Sequence, residues 1–309
     1  MQRRDAERVS REEPCAICKR PDWCMRLGRY HLCMRVESDR PHHKGGWLHR
    51  RDDVPSTAFI PPPRPRISDA EMRLKWEPIA RRAAETGIDR LPELALQLGV
   101  SVHALALLSA GYDEEFGWTF PERNAKGWII GIARRALDGA KLFCKGGRRG
   151  LTYCPHWSKR RGVVWVVEGA SDVAAALGRG LCCIGRPSNT GGVEMLAEML
   201  RPLNRRIVIL GENDRKDQAR VQEHTQSHDP NCRGCMACWP GRAGAIQTAK
   251  ALAIAIGRPV GWTLPPRGIK DMREYVRQAG KEANYAATNT IIQAGRLPAP
   301  RGKVHQGDP

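Results

Sequence analysis

Two short acidic motifs, each closing an apolar run, are the residues in this chain best placed to do chemistry. Glu168-Gly169-Ala170-Ser171-Asp172 follows Val163-Val164-Trp165-Val166-Val167, and Glu212-Asn213-Asp214 follows Arg206-Ile207-Val208-Ile209-Leu210-Gly211. A short β-branched run reads as a buried parallel strand, whose C-terminal end opens at the ligand edge of its sheet. Two such ends side by side gather three or four carboxylates, and like charges that close need a cation among them to stay ionised. The expected cation is Mg2+ or Mn2+, held by Glu168, Glu212 and Asp214, and the expected chemistry is phosphoryl transfer. Asp172 would open the next helix, where its charge suits the helix dipole. Glu212 and Asp214 are two apart and point the same way on an extended segment. One acid at a strand end is an ordinary turn residue. The pairing of two such motifs carries the reading.

The elements that must position these acids alternate. Strands are expected at 163–167, 181–184, 206–210 and 259–263, and helices at 171–179, 192–201 and 243–256. That order predicts an α/β fold, a parallel sheet flanked by helices. Residues 116–154 read as short strands and turns rich in Gly and Arg, and residues 69–110 as helical, starting at Ser68-Asp69-Ala70-Glu71. Residues 51–68 include Pro61-Pro62-Pro63-Arg64-Pro65, a semi-rigid linker. The expected division is a metal-binding module at 1–50, the linker at 51–68, a mixed α+β subdomain at 69–158, the parallel sheet at 159–285 with an insert at 215–240, and a disordered tail at 286–309.

Of 309 residues, 51 are Lys or Arg and 33 are Asp or Glu, a net charge of +18 that points to a polyanionic partner. Arg134, Arg135, Lys141, Lys145, Arg148 and Arg149 are candidates to bind nucleic acid or a triphosphate; the plain alternative is a solvated basic loop. The loop Ser188-Asn189-Thr190-Gly191-Gly192 either cradles phosphate on its N–H groups or simply starts a helix. No run approaches the roughly 18 apolar residues of a membrane span, and Met1-Gln2-Arg3-Arg4-Asp5 is no secretory signal, so a cytoplasmic location is expected.

Seven of the eleven cysteines fall in two tight groups, a metal-binding pattern in a reducing compartment. Cys15, Cys18, Cys24 and Cys33 offer a four-thiolate Zn2+ site, with His31 or His42-His43 as substitute ligands. A module of this size with so small a core needs such a staple. Its Arg26, Arg29, Arg35, Arg40, Arg50, Arg51, Trp23 and Trp47 suit a single-stranded nucleic acid. Cys232, Cys235 and Cys238 with His228, or alternatively His224, form a second candidate zinc site in the insert; the same spacing serves iron–sulfur ligation. Cys144, Cys154, Cys182 and Cys183 read as core residues.

The acidic motifs, together with Ile184-Gly185-Arg186 between them, resemble the Toprim domain shared by bacterial (DnaG-type) primases, type IA and type II topoisomerases and some nucleases. Glu212 stands where that pattern carries aspartate. Gly241-Arg242-Ala243-Gly244 resembles the glycine turn that follows it, and Lys270-Asp271 the late lysine–aspartate element, which adds both residues to the candidate site. Upstream, Phe120-Pro121-Glu122-Arg123-Asn124 leading to Gly127 and Gly131 is similar to the first half of the bacterial primase catalytic core, with Asn124 in place of aspartate. The resemblance runs over roughly 95–275. It implies template-directed synthesis of short RNA primers on single-stranded DNA from nucleoside triphosphates, in replication of a phage, plasmid or bacterial element. It also implies an N-terminal zinc ribbon that contacts template and, since no Gly-x4-Gly-Lys-Ser/Thr motif occurs, a separate helicase. The rival expectations are a Toprim nuclease and a catalytically inactive DNA-binding protein.

Overall fold

The computed structural model describes residues 6–42, 45–51, 67–217, 221 and 232–279. The chain forms two compact units, Met1–Ile67 and Ser68–Pro309.

The first unit is an antiparallel sheet of four short strands, β1 (Ala6–Arg8), β2 (Met25–Leu27), β3 (Tyr30–Cys33) and β4 (Trp47–Arg50), in sequential order. Its buried centre is Val9, Ile17 and the four cysteines 15, 18, 24 and 33. With Leu32 as the only other buried aliphatic side chain among the described residues of this unit, that is too little core to fold by itself, and sulfur chemistry has to supply the rest.

The second unit begins with α1 (Asp69–Gly87), whose start is a reciprocal cap: Ser68 Oγ accepts the Glu71 N–H at 3.2 Å, and Glu71 Oε2 accepts the Ser68 N–H at 2.8 Å. Two short helices follow, α2 (Leu91–Leu98) and α3 (Val102–Leu107). Then comes an antiparallel sheet of β5 (Gly111–Asp113), β6 (Gly117–Arg123), β7 (Ile129–Arg135) and β8 (Lys141–Phe143), again in sequential order. Met72, Trp76 and Ala80 of α1 pack on Ile129, Ile130 and Ile132 of β7.

The parallel sheet contains β9 (Val164–Glu168), β10 (Cys182–Arg186), β11 (Ile207–Leu210) and β12 (Gly261–Thr263) in the order β10-β9-β11-β12. Helices α4 (Ala170–Gly178), α5 (Val193–Leu200), α6 (Pro240–Ile256) and α7 (Met272–Ala279) complete the fold. Strand periodicity sorts the side chains. Trp165, Val167, Cys183, Val208 and Leu210 enter one core with α2, α3, α4 and α7, while Val164, Val166, Cys182, Ile184, Ile207 and Ile209 enter the other with α5 and α6. Both faces are covered, which is why the strands read as unbroken apolar runs. Each expected strand and helix of this sheet is present within a few residues of its expected bounds; α7 was not expected.

Between the two sheets runs a single extended stretch. Leu151 exchanges backbone hydrogen bonds with Arg123 of β6, and Thr152 exchanges them with Gly185 of β10. The parallel sheet is thereby tied to the antiparallel one across its β10 edge.

Glycines on both sides, Gly87 of α1 and Gly111 of β5, let the helix and the antiparallel sheet pack closely. A Cβ on Gly111 would lie 2.2 Å from the Ala83 carbonyl oxygen and 2.5 Å from the Ala84 nitrogen, both backbone atoms of α1. Gly111→Ala is therefore expected to destabilise this unit by about 2–3 kcal/mol in denaturant unfolding, and a loss below about 0.5 kcal/mol would show that the approach is not tight.

Candidate catalytic cleft

The strand ends of the parallel sheet and the basic strands of the antiparallel sheet face one another across a cleft of about 340 Å3. On one side Glu168 ends β9, Arg186 ends β10 and Glu212 lies two residues past β11. On the other stand Arg134 and Arg135 at the end of β7, Lys141 at the start of β8, and Arg149. Six residues expected from sequence to do chemistry, Glu168, Glu212, Arg134, Arg135, Lys141 and Arg149, therefore line one space.

Burial raises the pKa of Glu168, against the opposing charges of Arg186, Lys141 and Lys270, and Asp214 raises it further. Burial also raises that of Glu212, followed by the charge of Glu168, with Lys270 opposing. The Lys270 ammonium stands 3.6 Å from Glu212 Oε2. It is brought there by Asn213, whose side-chain amide donates to the carbonyls of Pro265 (2.8 Å), Pro266 (3.1 Å) and Ile269 (2.8 Å), and whose backbone N–H donates to the Lys270 carbonyl at 2.7 Å. The middle residue of the acidic motif thus points away from its neighbours and pins the loop that carries their countercharge. Nothing in the sequence alone marked that role.

The other three acids are oriented towards helix starts. Asp214 Oδ1 accepts the Gly241 N–H at 2.9 Å in the first turn of α6. Asp172 Oδ1 accepts the Arg273 N–H at 2.8 Å, and Asp271 Oδ1 the Glu274 N–H at 2.8 Å, both in the first turn of α7. These N–H groups have no partner within their helices, and the acids supply one. Asp172 was expected to open the helix that follows it; it also closes on the start of another. Among the described residues no three carboxylates bring oxygens within 4.8 Å of one another. Glu168 and Glu212, the two that line the cleft, fit a Mg2+ or Mn2+ that is held by one or two carboxylates and completed by substrate phosphates.

Several basic residues differ in their engagement. Arg149 is clamped by Glu122, which accepts from its Nε at 2.9 Å and from its Nη2 at 2.8 Å, while Nη2 also donates to the Pro187 carbonyl at 2.7 Å. Glu122 is buried, and burial raises its pKa against the pull of Arg149. A glutamate near the end of an otherwise buried strand was the signal for such a partner. Arg148, by contrast, is paired with Asp69 at the head of α1. Lys145 is exposed and is not among the residues lining the cleft. Arg186 is fully buried and donates to Thr248 Oγ1 at 2.8 Å and to the Asn189 carbonyl; its Nε and Nη2 have no partner among the described residues. It holds the Ser188–Gly192 loop against α6. Asn124 structures a turn, its Oδ1 accepting the N–H groups of Lys126 and Trp128, each at 3.0 Å.

The two cysteine groups have metal-ligand geometry. A Zn–S bond of about 2.3 Å sets tetrahedral S···S edges of about 3.8 Å, against about 2.05 Å in a disulfide. Cys18 and Cys24 Sγ are 3.6 Å apart, and all four sulfurs of the N-terminal group lie within 4.8 Å of one another. Backbone N–H groups of Met34 and Val36 point at Cys24 and Cys33 Sγ (3.5 and 3.3 Å), and the Arg35 guanidinium faces Cys18 and Cys24. The described group is four cysteines, without His31 or His42; His43 lies outside the described residues. Of the arginines expected on this module's surface, Arg26 pairs with Glu7 and Glu13, and Arg35 with Asp22. In the insert, Cys238 Sγ lies 3.7 Å from Cys232 Sγ and 3.8 Å from Cys235 Sγ. His228 and His224 lie outside the described residues. The remaining four cysteines are buried and belong to neither group.

No family model matches the chain, and no curated protein matches it. Solved structures do. The Aquifex aeolicus primase, comprising zinc-binding and RNA polymerase domains, is similar with a TM-score of 0.50 and 16% identity, over 73% of this chain and 62% of that one. This chain has a primase fold. The catalytic core of the E. coli primase gives a TM-score of 0.48 at 16% identity, over 72% of this chain and 80% of that one. A DnaG primase catalytic domain bound to single-stranded DNA gives 0.49 at 16% identity, over 72% and 78%.

Asp172 supplies a test of the site's electrostatics. Burial, then the charge of Asp271, push its pKa from the usual 3.8 up to about 8, with the Arg273 N–H opposing. Between those two values the unfolded chain is ionised at this position while the folded chain keeps its proton, so stability falls as pH rises through that window. Asp172→Asn keeps the acceptor for Arg273 and removes the titration. Without divalent metal, its melting temperature is expected to fall less than the parent's between about pH 5 and about pH 8; an equal fall would contradict the assignment.

Proposed function

We propose that this chain is a primase-like nucleotidyltransferase that makes short RNA primers on single-stranded DNA from nucleoside triphosphates. The observation that carries the reading is the single cleft in which Glu168 and Glu212 face Arg134, Arg135, Lys141 and Arg149. One half suits a divalent metal and the other suits polyphosphate. The similarity of the fold to a primase supports it, as does the net charge of +18.

In this reading Arg134, Arg135 and Lys141 bind the phosphates of template and incoming nucleotide, and Arg149, held by Glu122, presents a fixed guanidinium beside them. Glu168, Glu212 and Asp214 would hold Mg2+ or Mn2+, which would supply electrostatic stabilisation for the charge that develops in nucleotidyl transfer. Lys270 offsets the charge of Glu212 when the cleft is free of substrate. The N-terminal thiolates hold Zn2+ and shape a module that reads template. The partners are single-stranded DNA and a separate replicative helicase, in replication of a phage, plasmid or bacterial element. No described helix is long and apolar enough to cross a membrane.

One observation favours a second reading, a catalytically silent DNA-binding protein: Asp172, Asp214 and Asp271 each have an oxygen committed to a helix start.

The deciding experiment supplies labelled ribonucleotides with Mg2+ or Mn2+ on unprimed single-stranded DNA and compares the parent with Glu168→Gln. Short products from the parent, reduced about 100-fold or more in the variant, are expected. Degradation of the template would identify a nuclease. Tight DNA binding with neither activity would identify the silent protein.

A further inference from the structure

The thiolates of the insert lie at one end of a short, stiff connection to the acidic strand end. The chain leaves the parallel sheet after Asp214 and returns at Cys238, and the Lys216 N–H donates to the Cys238 carbonyl at 2.8 Å, closing the neck of the insert. The next residue, Trp239, donates its indole N–H to the Glu212 carbonyl at 3.2 Å and its backbone N–H to the Cys235 carbonyl at 2.9 Å. Its ring lies under the guanidinium groups of Arg215 and Arg242, 5.5 and 5.9 Å from its centroid. Two residues further, the Gly241 N–H meets Asp214 Oδ1. The approach there is so close that a Cβ on Gly241 would lie 2.4 Å from the Glu212 carbonyl oxygen and 2.7 Å from Asp214 Oδ1.

Residues 232–239 have little else to hold them. They contain no helix or strand, and Cys238 is their one buried apolar side chain. A segment with so little to bury keeps a fixed shape through a cross-link. The sulfurs are not disulfide-bonded, and their separations of 3.7 and 3.8 Å match the edge of a zinc tetrahedron. The Ala237 N–H is directed at Cys235 Sγ and the Cys235 N–H at Cys238 Sγ, both at 3.3 Å, so the turn's backbone is folded around its sulfurs.

We propose that Cys232, Cys235 and Cys238 bind a zinc ion whose role is to position the catalytic acids. Through Trp239 and Gly241, the metal-bound turn fixes the backbone of Glu212 and the carboxylate of Asp214. Zinc takes three thiolates here and one further donor, and their protons are released on binding. The inference rests on Glu212 and Asp214 being metal ligands, but the geometric coupling is measurable without any enzymatic activity. Trp239 is a positioning residue in this scheme and touches no substrate.

The test uses the full chain and compares the parent with Cys235→Ser and Trp239→Phe. Three quantities are read: bound zinc and iron by elemental analysis, amide hydrogen exchange, and primer synthesis. The parent is expected to hold two zinc ions per chain and Cys235→Ser one. Exchange over residues 211–217, which includes the Lys216 amide bonded to Cys238, is expected to quicken about tenfold or more in Cys235→Ser, while β9 exchanges as in the parent. Trp239→Phe keeps both zinc ions, since its thiolates are intact, and still quickens exchange at 211–217; this variant separates coupling from simple loss of the metal. One zinc ion in the parent, iron in place of the second, or unchanged exchange at 211–217 in either variant would overturn the proposal. A parent that shows the expected zinc and exchange behaviour but makes no primers would overturn the functional reading and leave this one standing.

Discussion

Leu151 and Thr152 are hydrogen-bonded on both sides, Leu151 to Arg123 at 2.7 Å in each direction and Thr152 to Gly185 at 2.9 and 2.7 Å. Four backbone bonds along two adjacent residues set the antiparallel sheet against the parallel one. Everything in the cleft follows from that register. Just before the stitch, Arg149 is drawn to Glu122, the neighbour of Arg123 on β6. Just past Gly185, Arg186 ends β10 beside Glu168 of β9, its direct register partner. Shifting the stitch by one residue would send Leu151 into the cleft and Thr152 towards the apolar core that contains Tyr153 and Ile184. The core and the cleft therefore depend on one register.

The acidic edge is tolerable because positive charge approaches it from several directions. Lys270 lies on Glu212, Arg186 is buried between strand ends, and the N-termini of α6 and α7 aim their free N–H groups at Asp214, Asp172 and Asp271. Each contribution is modest, about 0.3–1 kcal/mol for a helix end at an exposed site and more where water is excluded. Together they let this edge of the sheet carry several acidic groups, while Glu168 and Glu212 stay on the cleft side.

The parallel sheet was legible because both of its faces are covered. Strands buried on two sides show as unbroken runs such as Val163–Val167, and the helices between them are long enough to show apolar spacing. Helix α7 was not legible, since Met272–Ala279 is short and carries Arg273, Glu274 and Arg277; its start is fixed by Asp172, about a hundred residues earlier in the chain. The same limit applies to the site. The residue types and order of Glu168, Glu212, Arg134, Arg135, Lys141 and Arg149 are in the sequence, but whether they share a space depends on the stitch at residues 151–152. Asn213 and Arg186 stand within the sequence motifs, but neither was assigned a role there. One pins the Lys270 loop through four hydrogen bonds, and the other is a buried guanidinium whose register places it beside Glu168. In the N-terminal unit the strands are three or four residues long, too short to show any period.

The neck of the insert has a consequence for how this protein can change. Lys216 and Cys238 are joined by a backbone hydrogen bond at the base of the cysteine turn, so the sheet meets the same two chain ends whatever lies between Asp217 and Cys232. Doubling the length of a loop already closed at its base costs only about 0.6 kcal/mol in closure entropy. That junction is a splice point: provided the cysteine turn at its base is kept, lineages or engineers can lengthen or exchange the chain between Asp217 and Cys232 without redesigning the sheet that carries Glu212.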